Sequence, residues 1–399
     1  MTTVAEAEKI VLSEQRDYGM ETVALADALN RVLAEPILAD RDLPPYNRVA
    51  MDGIAIKYAD FTSGHRYFTI AGTQAAGEEP IQFNNNECIE IMTGAALPVC
   101  ADTIIRYEDT EIKNGIATIL IDDIKQGQNV HRQGADKLKG DIVAKAGQLI
   151  SPALVSVAAS VGATTLSVKK LPRVVIITTG NELVDIDNTP SPYEIRKSNS
   201  YAIRSVLQQH SVQADIKHIP DDAAVTKTTL ANCISNYDVI ILSGGISAGK
   251  FDYVPQVLEE LSVKKLFHKV EQRPGKPFWF GKHDNGALVF AFPGNPVSTF
   301  MCMHRYCMPW LEQCLGIKSD KAFAILESDF SFKPQLQYFL QVKLQFNEQG
   351  QITATPVEGN GSGDFANLLD ADAFMELPAE RNNFNKGEAY SIWPFKKLL

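Results

Sequence analysis

Three loops in this 399-residue chain combine glycine with small polar residues directly after apolar runs, and two of them add a carboxylate. In an open parallel sheet, ligands bind beyond the carboxyl ends of the strands, so such loops are where chemistry is to be sought. The first is Thr178-Thr179-Gly180-Asn181-Glu182. Its small residues admit a ligand to the backbone and Glu182 places a carboxylate at the sheet edge, although the loop also reads as a plain turn with a helix-capping acid. The second runs from Ser243 through Gly244, Gly245, Ser247, Gly249 and Lys250 to Asp252. It can expose successive N–H groups as an anion nest at a helix N-terminus, with Ser243 and Ser247 beside it. Asp252 either caps that helix or adds a carboxylate to a metal site. The spacing satisfies G-x-x-x-x-G-K, yet Phe251 stands where a Walker A motif needs Ser or Thr for magnesium, which disfavours a P-loop NTPase. In the third loop, Phe292 to Ser298, Pro293 and Pro296 impose rigidity suited to an oxyanion held by backbone groups and Ser298; a bare strand-to-helix turn is equally legal.

Two further turns complete the inventory. Arg273-Pro274-Gly275-Lys276-Pro277 fixes two cations on a stiff turn, as oxyanion binding requires, or is a solvated basic turn. Pro220-Asp221-Asp222 adds acids, for which a helix cap is the simplest single-residue reading. Together the loops offer carboxylates for a divalent cation, a phosphate nest and cations for further oxyanions, an inventory suited to metal-assisted chemistry at a phosphoanhydride. None of the seven histidines has a metal-ligand or catalytic-triad spacing, and His131 reads as a surface residue.

The elements that must position these loops follow from periodicity. From Pro172 onward, apolar strands (Arg173 to Thr178, Val212 to Ile219, Asp238 to Leu242, Ala287 to Phe292) alternate with helices (Asn199 to Gln209, Ala223 to Ile234, Asp252 to Leu261, Val297 to Leu315). Apolar runs without polar alternation predict a parallel sheet covered on both faces. The first forty residues read as helical: Thr3 and Glu6 fit a capping box, and a second short helix is expected around Leu25, Ala28 and Leu29. Short β-prone runs between Gly, Asn and Asp turns fill residues 40 to about 120, and a helix begins at Ser151-Pro152. After Gly316 the chain returns to short strands as a separate β unit.

At about 150 residues per domain the length predicts two to three domains or more. Lys and Arg number 38 against 48 Asp and Glu, a net charge of −10, and no long basic run occurs, which argues against general nucleic-acid or anionic-membrane binding. The six cysteines form no CxxC pair and read as reduced thiols. The acidic amphipathic start is unlike a secretory signal, and no stretch approaches the ~18 apolar residues of a membrane span, so a cytoplasmic protein is expected.

The chain resembles the molybdopterin molybdenumtransferase (MoeA) family, and with it the E domain of gephyrin. The resemblance rests on Leu43-Pro44-Pro45-Tyr46, Met51-Asp52-Gly53, Met92-Thr93-Gly94-Ala95, Arg132-Gln133-Gly134 with Asp136, Thr179-Gly180-Asn181-Glu182, Ser198-Asn199-Ser200-Tyr201, Ser243-Gly244-Gly245-Ile246-Ser247, Pro274-Gly275-Lys276-Pro277 and Pro293-Gly294-Asn295-Pro296. It implies a multidomain α/β plus β architecture. A discontinuous elongated helical domain (1–38 and 137–168) would carry an inserted β domain (39–136), followed by a doubly wound molybdopterin-binding α/β domain (169–316) and a C-terminal β-barrel (317–399). The implied activity is magnesium-dependent insertion of molybdate into adenylylated molybdopterin with release of AMP. Adenylylation of molybdopterin and a non-enzymatic molybdopterin-binding scaffold are the competing readings.

By the same resemblance, Glu182, Asp222 and Asp252 would organise Mg2+, Ser243, Gly244, Gly245 and Ser247 would hold phosphate or pterin oxygens, and Arg273, Lys276, Pro293, Pro296 and Ser298 would bind molybdate. Asp52, Thr93 and Asp136 would complete the catalytic set across a homodimer interface. Molybdopterin adenylyltransferase and molybdoenzyme apoproteins are the implied partners. Arg273 stands where the family often has Lys, Ala135 and Lys197 replace common acids, and Leu336 and Gln337 replace an Arg often offered to the anion; Ser362-Gly363-Asp364 is a further candidate.

Overall fold

The computed structural model describes residues 1–246, 253–318, 320–359 and 361–396. Four strands of the α/β unit are parallel, in the spatial order Ala214–Ile219, Val174–Thr179, Val239–Ser243 and Leu288–Phe292. Val175 and Ile177 face one side with Ile240, Leu242 and Val289, while Ile176 faces the other with Ile241 and Phe290, so the three inner strands bury both faces and the edge strand Ala214–Ile219 only part of its own. Helices Ala223–Asn236 and Val254–Glu260 cover the first side. Helix Asn199–Gln208 and the helical segment from Pro296 to Leu315 cover the second.

Two sequence expectations change here. Trp279–Lys282 and Lys264–His268 extend the sheet antiparallel, so it is mixed rather than wholly parallel. The long helix expected from Val297 is also interrupted: Met303–Cys307 forms a π-helical turn between Pro296–Cys302 and Met308–Leu315. A π-turn inserts one extra residue per turn and shifts the buried face, and this one turns Arg305 and Tyr306 inward.

The N-terminal helix Val4–Ser13 begins with the expected capping box: Glu6 N–H donates to Thr3 Oγ1 and Thr3 N–H donates to Glu6 Oε2. Its apolar face, Val4, Ala7 and Val11, joins the core beneath Met308 and Leu311. Beyond it the helical expectation fails. Met20–Ala24 is a strand with alternating burial, paired antiparallel with Thr165–Lys169, and only one 3-10 turn, Leu25–Asp27, follows. Its alternation has a period of two, and cross-strand pairing overrides helix propensity. Ile37–Leu38 pairs with Ile142–Ala144, which joins the segments flanking the β module.

That module is a six-stranded sheet containing Gly53–Ile56, Tyr67–Gln74, Glu87–Ile91 and Thr103–Arg106. Gly53 is obligatory there, because a Cβ would lie 1.9 Å from the Ile105 carbonyl oxygen. Toward the C-terminus, Gln337–Phe346, Ile352–Pro356, Ala322–Leu326, Ala389–Pro394 and Ala373–Leu377 pair in that order, and the last returns to the first, closing a five-stranded barrel. No helix among the described residues is long and apolar enough to cross a membrane.

One ion-pair cluster joins the N-terminal helix, the α/β unit and the barrel. Arg305, with a side chain 4% exposed, lies between Glu8 (Nη1 to Oε1, 2.9 Å) and Glu376 (Nε to Oε2, 3.2 Å), with its guanidinium 4.4 Å from the Trp393 ring. Removing one partner of a buried pair strands the remaining charges. Arg305→Met should therefore destabilise the fold by about 3 kcal/mol in urea unfolding followed by tryptophan fluorescence, whereas a loss below about 0.5 kcal/mol, the surface-substitution range, would refute the junction.

Candidate functional site

The parallel strands end together. Thr178 pairs with Ser243, Ser243 with Phe292, and Thr179 with Ile219, so the loops at Gly180, Gly244, Pro293 and Pro220 emerge side by side. Between them lies a cavity of about 1050 Å³. Glu182, Ser243, Gly244 and Gly245 line it together with Pro293 and Pro296, and so do Lys197, Asn199 and Asp221. A second cavity of about 490 Å³ opens alongside, lined by Arg273, Lys276 and Ser298 and by Leu336, Tyr338 and Ser362 of the C-terminal region. Pro277, Pro293 and Asn295 line both.

Asn199 knits the loops together. Its Nδ2 donates to Ser243 Oγ and to the Gly294 carbonyl, each at 2.8 Å, and lies 3.5 Å from Thr299 Oγ1. Thr299 Oγ1 donates in turn to the Pro293 carbonyl at 2.6 Å. Asn199 begins a helix whose buried face, Ser200, Ile203, Val206 and Leu207, anchors it to the sheet. Sequence reasoning quoted it in a motif without giving it a role; its place at the first turn of a helix after a polar loop was the available signal.

Gly244 and Gly245 have φ +100° and +70°, and a Cβ on either would come within 3 Å of Thr179 Oγ1. The Gly244 N–H donates to Phe292 O at 3.1 Å, which leaves the expected nest to the amides that follow. Ser247 and Asp252 lie outside the described residues.

The acids divide. Asp222 caps helix Ala223–Asn236, its Oδ1 accepting from Val225 N–H at 2.8 Å, and lines neither cavity. Its neighbour Asp221 faces the larger cavity and exchanges hydrogen bonds with Asn181 (Asn181 N to Asp221 Oδ2, 3.2 Å; Asp221 N to Asn181 Oδ1, 3.1 Å), tying two loops together. No three His, Cys, Asp or Glu side chains among the described residues converge as a metal cage. Magnesium does not require one: it is held by one or two carboxylates plus substrate phosphates, and Glu182 and Asp221, which both line the larger cavity, could supply the carboxylates.

On the basic turn, Gln272 is fully buried; its Nε2 donates to the Gly275 carbonyl at 3.2 Å while its Oε1 accepts from Tyr306 Oη. Gln272–Arg273 forms a short parallel pair with Gln337–Tyr338 of the barrel. Asn295 Nδ2 donates to Ser362 Oγ at 2.7 Å. The C-terminal region thus walls the smaller cavity, although Leu336 brings no charge and Gln337 turns its side chain to Glu376.

Asp52, Thr93 and Asp136 line neither cavity. The first two meet, because Thr93 N–H donates to Asp52 Oδ1 at 2.6 Å and this bond holds the carboxyl below its ordinary pKa. Asp136 Oδ1 lies 3.0 Å from His131 Nε2, and Arg48 approaches the other ring nitrogen at 3.2 Å, so His131 belongs to a polar chain beside Asp136.

Compared with known proteins, the chain matches the MoeA N-terminal region (domain I and II) over residues 2–162, a probable molybdopterin binding domain over 175–313, and the MoeA C-terminal region (domain IV) over 324–395. It is 37% identical over 397 residues to the molybdopterin molybdenumtransferase of Synechocystis, covering 98% of this chain and all of that one. The protein of the same name from Haemophilus influenzae is 31% identical over 409 residues, with both chains fully covered. The crystal structure of a molybdopterin biosynthesis MoeA protein from Pyrococcus horikoshii superposes with a TM-score of 0.82 at 29% identity over 99% of both chains.

Asn199 offers a direct check on how the loops are held. Asn199→Leu removes the donor from Ser243 Oγ and the Gly294 carbonyl and should cost about 2 kcal/mol in urea unfolding. A cost below about 0.5 kcal/mol, ordinary for a surface change, would show that the loops do not depend on it.

Proposed function

From the premise that this chain belongs to the molybdopterin molybdenumtransferase family, transferases of molybdenum cofactor biosynthesis, we propose that it inserts molybdate into adenylylated molybdopterin and releases AMP. The observation that carries this reading is the pair of contiguous cavities. One has carboxylates and a loop with two glycines at positive φ at the carboxyl ends of parallel strands; the other has Arg273, Lys276 and Ser298; and Pro277, Pro293 and Asn295 line both. A phosphoanhydride in the first then lies beside an oxyanion in the second. The larger cavity is at the top of the usual size range for small-molecule sites, about 300–1,000 Å³, as a joined pterin and nucleotide requires.

In this reading the loop after Ser243 cradles phosphate oxygens, with Asn199 fixing Ser243 against Gly294 so that the cradle is preorganised. Lys276 and Arg273 orient the tetrahedral molybdate by charge, and the buried Ser298 hydroxyl donates to it. Bound magnesium, held by Glu182 and Asp221 with substrate phosphate oxygens, would supply charge neutralisation at the anhydride. The walls of both cavities position the reactants and exclude water.

We assign Asp52, Thr93 and Asp136 to the same site in a homodimer, each reaching the cavities of the partner subunit. A cytoplasmic location, and exchange of substrate and product with molybdopterin adenylyltransferase and molybdoenzyme apoproteins, complete the proposal.

Purified protein mixed with adenylylated molybdopterin, magnesium and molybdate should release AMP and incorporate molybdenum; no AMP above the protein-free control would sink the reading, and pyrophosphate release from ATP would indicate adenylylation instead. Glu182→Ala should cut AMP release by about 100-fold, the scale of one transition-state electrostatic contact. Lys276→Ala should instead raise the molybdate concentration needed for half-maximal rate. Mixing inactive Glu182→Ala and Asp52→Ala proteins should restore part of the activity through mixed dimers, and no restoration would count against a shared site.

A further inference from the structure

Lys197 stands on the wall of the larger cavity with its side chain only 10% exposed. An ammonium has three donors, and a charge taken from water needs compensation. Among the described residues its Nζ has one hydrogen-bond partner, Oδ1 of Asp185 at 2.9 Å, and that carboxylate is 62% exposed. The pair therefore joins an enclosed cation to an acid that water reaches freely.

The backbone explains the placement. Leu183–Val184 and Ile195–Arg196 form a short parallel pair, in which Ile195 N–H donates to Glu182 O at 2.8 Å and Lys197 N–H to Val184 O at 3.0 Å. Asp185 and Lys197 thus close the base of a flap whose Pro190, Glu194 and Ile195 also line the cavity. Lys197 is two residues before Asn199, whose side chain binds the loop ends at Ser243 and Gly294, and all four residues line the same cavity. Nearby, His218 Nδ1 lies 3.2 Å from Thr178 Oγ1, and the ring is within the electrostatic reach of Lys197, Asp185 and Glu182.

We propose that Lys197 is a phosphate-binding residue of the larger cavity, and that Asp185 occupies its ammonium until a ligand phosphate displaces the carboxylate. The energetics favour exchange: an ion pair with a well-hydrated partner contributes little, whereas charge-assisted hydrogen bonds to phosphate in an enclosed site are stronger. The proposal rests on the reading of this cavity as the site of a phosphate-bearing substrate and adds to it a cation that no motif identified.

Calorimetric titration with AMP, and with adenosine as the phosphate-free control, tests it. Lys197→Ala should weaken AMP binding by about tenfold and leave adenosine unchanged, while Asp185→Asn, which removes the competing charge, should tighten AMP binding several-fold. A flap that was merely loosened would weaken AMP in both variants, so opposite signs are the signature of competition. Equal AMP affinity in wild type and Lys197→Ala, or weakening by Asp185→Asn, would overturn the proposal while leaving the transferase reading intact. Wild-type protein that bound no AMP would overturn both. If Lys197→Ala fails to fold, Asp185→Asn decides alone, since its amide oxygen still accepts from the ammonium, and an unchanged AMP affinity in that variant refutes the competition.

Discussion

Everything at this site depends on parallel strands that stop in register. Because Thr178, Ser243 and Phe292 pair across three adjacent strands, three loops leave the sheet at one level, and a ligand there meets all of them at once. Parallel pairing of this kind forms only when both faces are covered, which ties the site to two separate cores. The backbone groups that end the strands are then partly satisfied by side chains from outside the sheet. Asn199 on Ser243 and Gly294, and Thr299 on Pro293, join two of these loop ends into one rigid rim.

The basic turn is held by a different device. Its Gly275 has φ +86°, and a Cβ there would lie 2.8 Å from both Cys302 Sγ and Gln272 Nε2, so the turn is pressed against the helical segment behind it. Gln272 bonds the Gly275 carbonyl on one side and Tyr306 on the other. Tyr306 points inward because of the π-turn, which also turns Arg305 toward Glu376 of the barrel. Gln272–Arg273 adds backbone pairing to the same barrel strand that presents Tyr338 to the cavity. The smaller cavity is therefore a product of two units meeting, and the helical segment behind its basic turn is the one that carries the Arg305 junction.

These relations separate what was legible in the sequence from what was not. The inner strands were readable because both faces are buried and their composition is uniformly apolar; the loops after them were readable by position. Lys264–His268 escaped notice because an edge strand can expose Lys264 and Lys265, and Trp279–Lys282 because Gly281 breaks the run. Met20–Ala24 lies within the forty residues that read as helical, because only its partner Thr165–Lys169, distant in sequence, identifies it as a strand. Asp221 and Asp222 could not be ranked, since one residue of offset decides which caps the helix and which faces the cavity. Gln272 carries no motif at all, and its importance arises from Tyr306 and Gly275, which the fold brings to it.

The net charge of −10 and the anionic character of the proposed substrates are reconciled by distance. Spread over an exposed surface of 20406 Å², the excess amounts to roughly one negative charge per 2,000 Å², a mean spacing several times the Debye length of about 8 Å at physiological salt. A ligand inside either cavity responds to the few groups within that length. In the smaller cavity these include Arg273 and Lys276, and in the larger one Glu182, Glu194 and Asp221 oppose Arg196 and Lys197. The asymmetry has a chemical consequence. Under the proposed function, a site with three carboxylates against one exposed guanidinium and one enclosed ammonium would repel a bare polyanion and accept one that arrives with a divalent cation, because the cation would engage the acids while the ammonium takes a phosphate oxygen. In the same reading the neighbouring pocket, lined by two cations and neutral groups from the barrel, would accept an oxyanion without a metal. The proposed reaction would thereby sort its two anions into adjacent chambers by local charge, which a chain-wide total averages away.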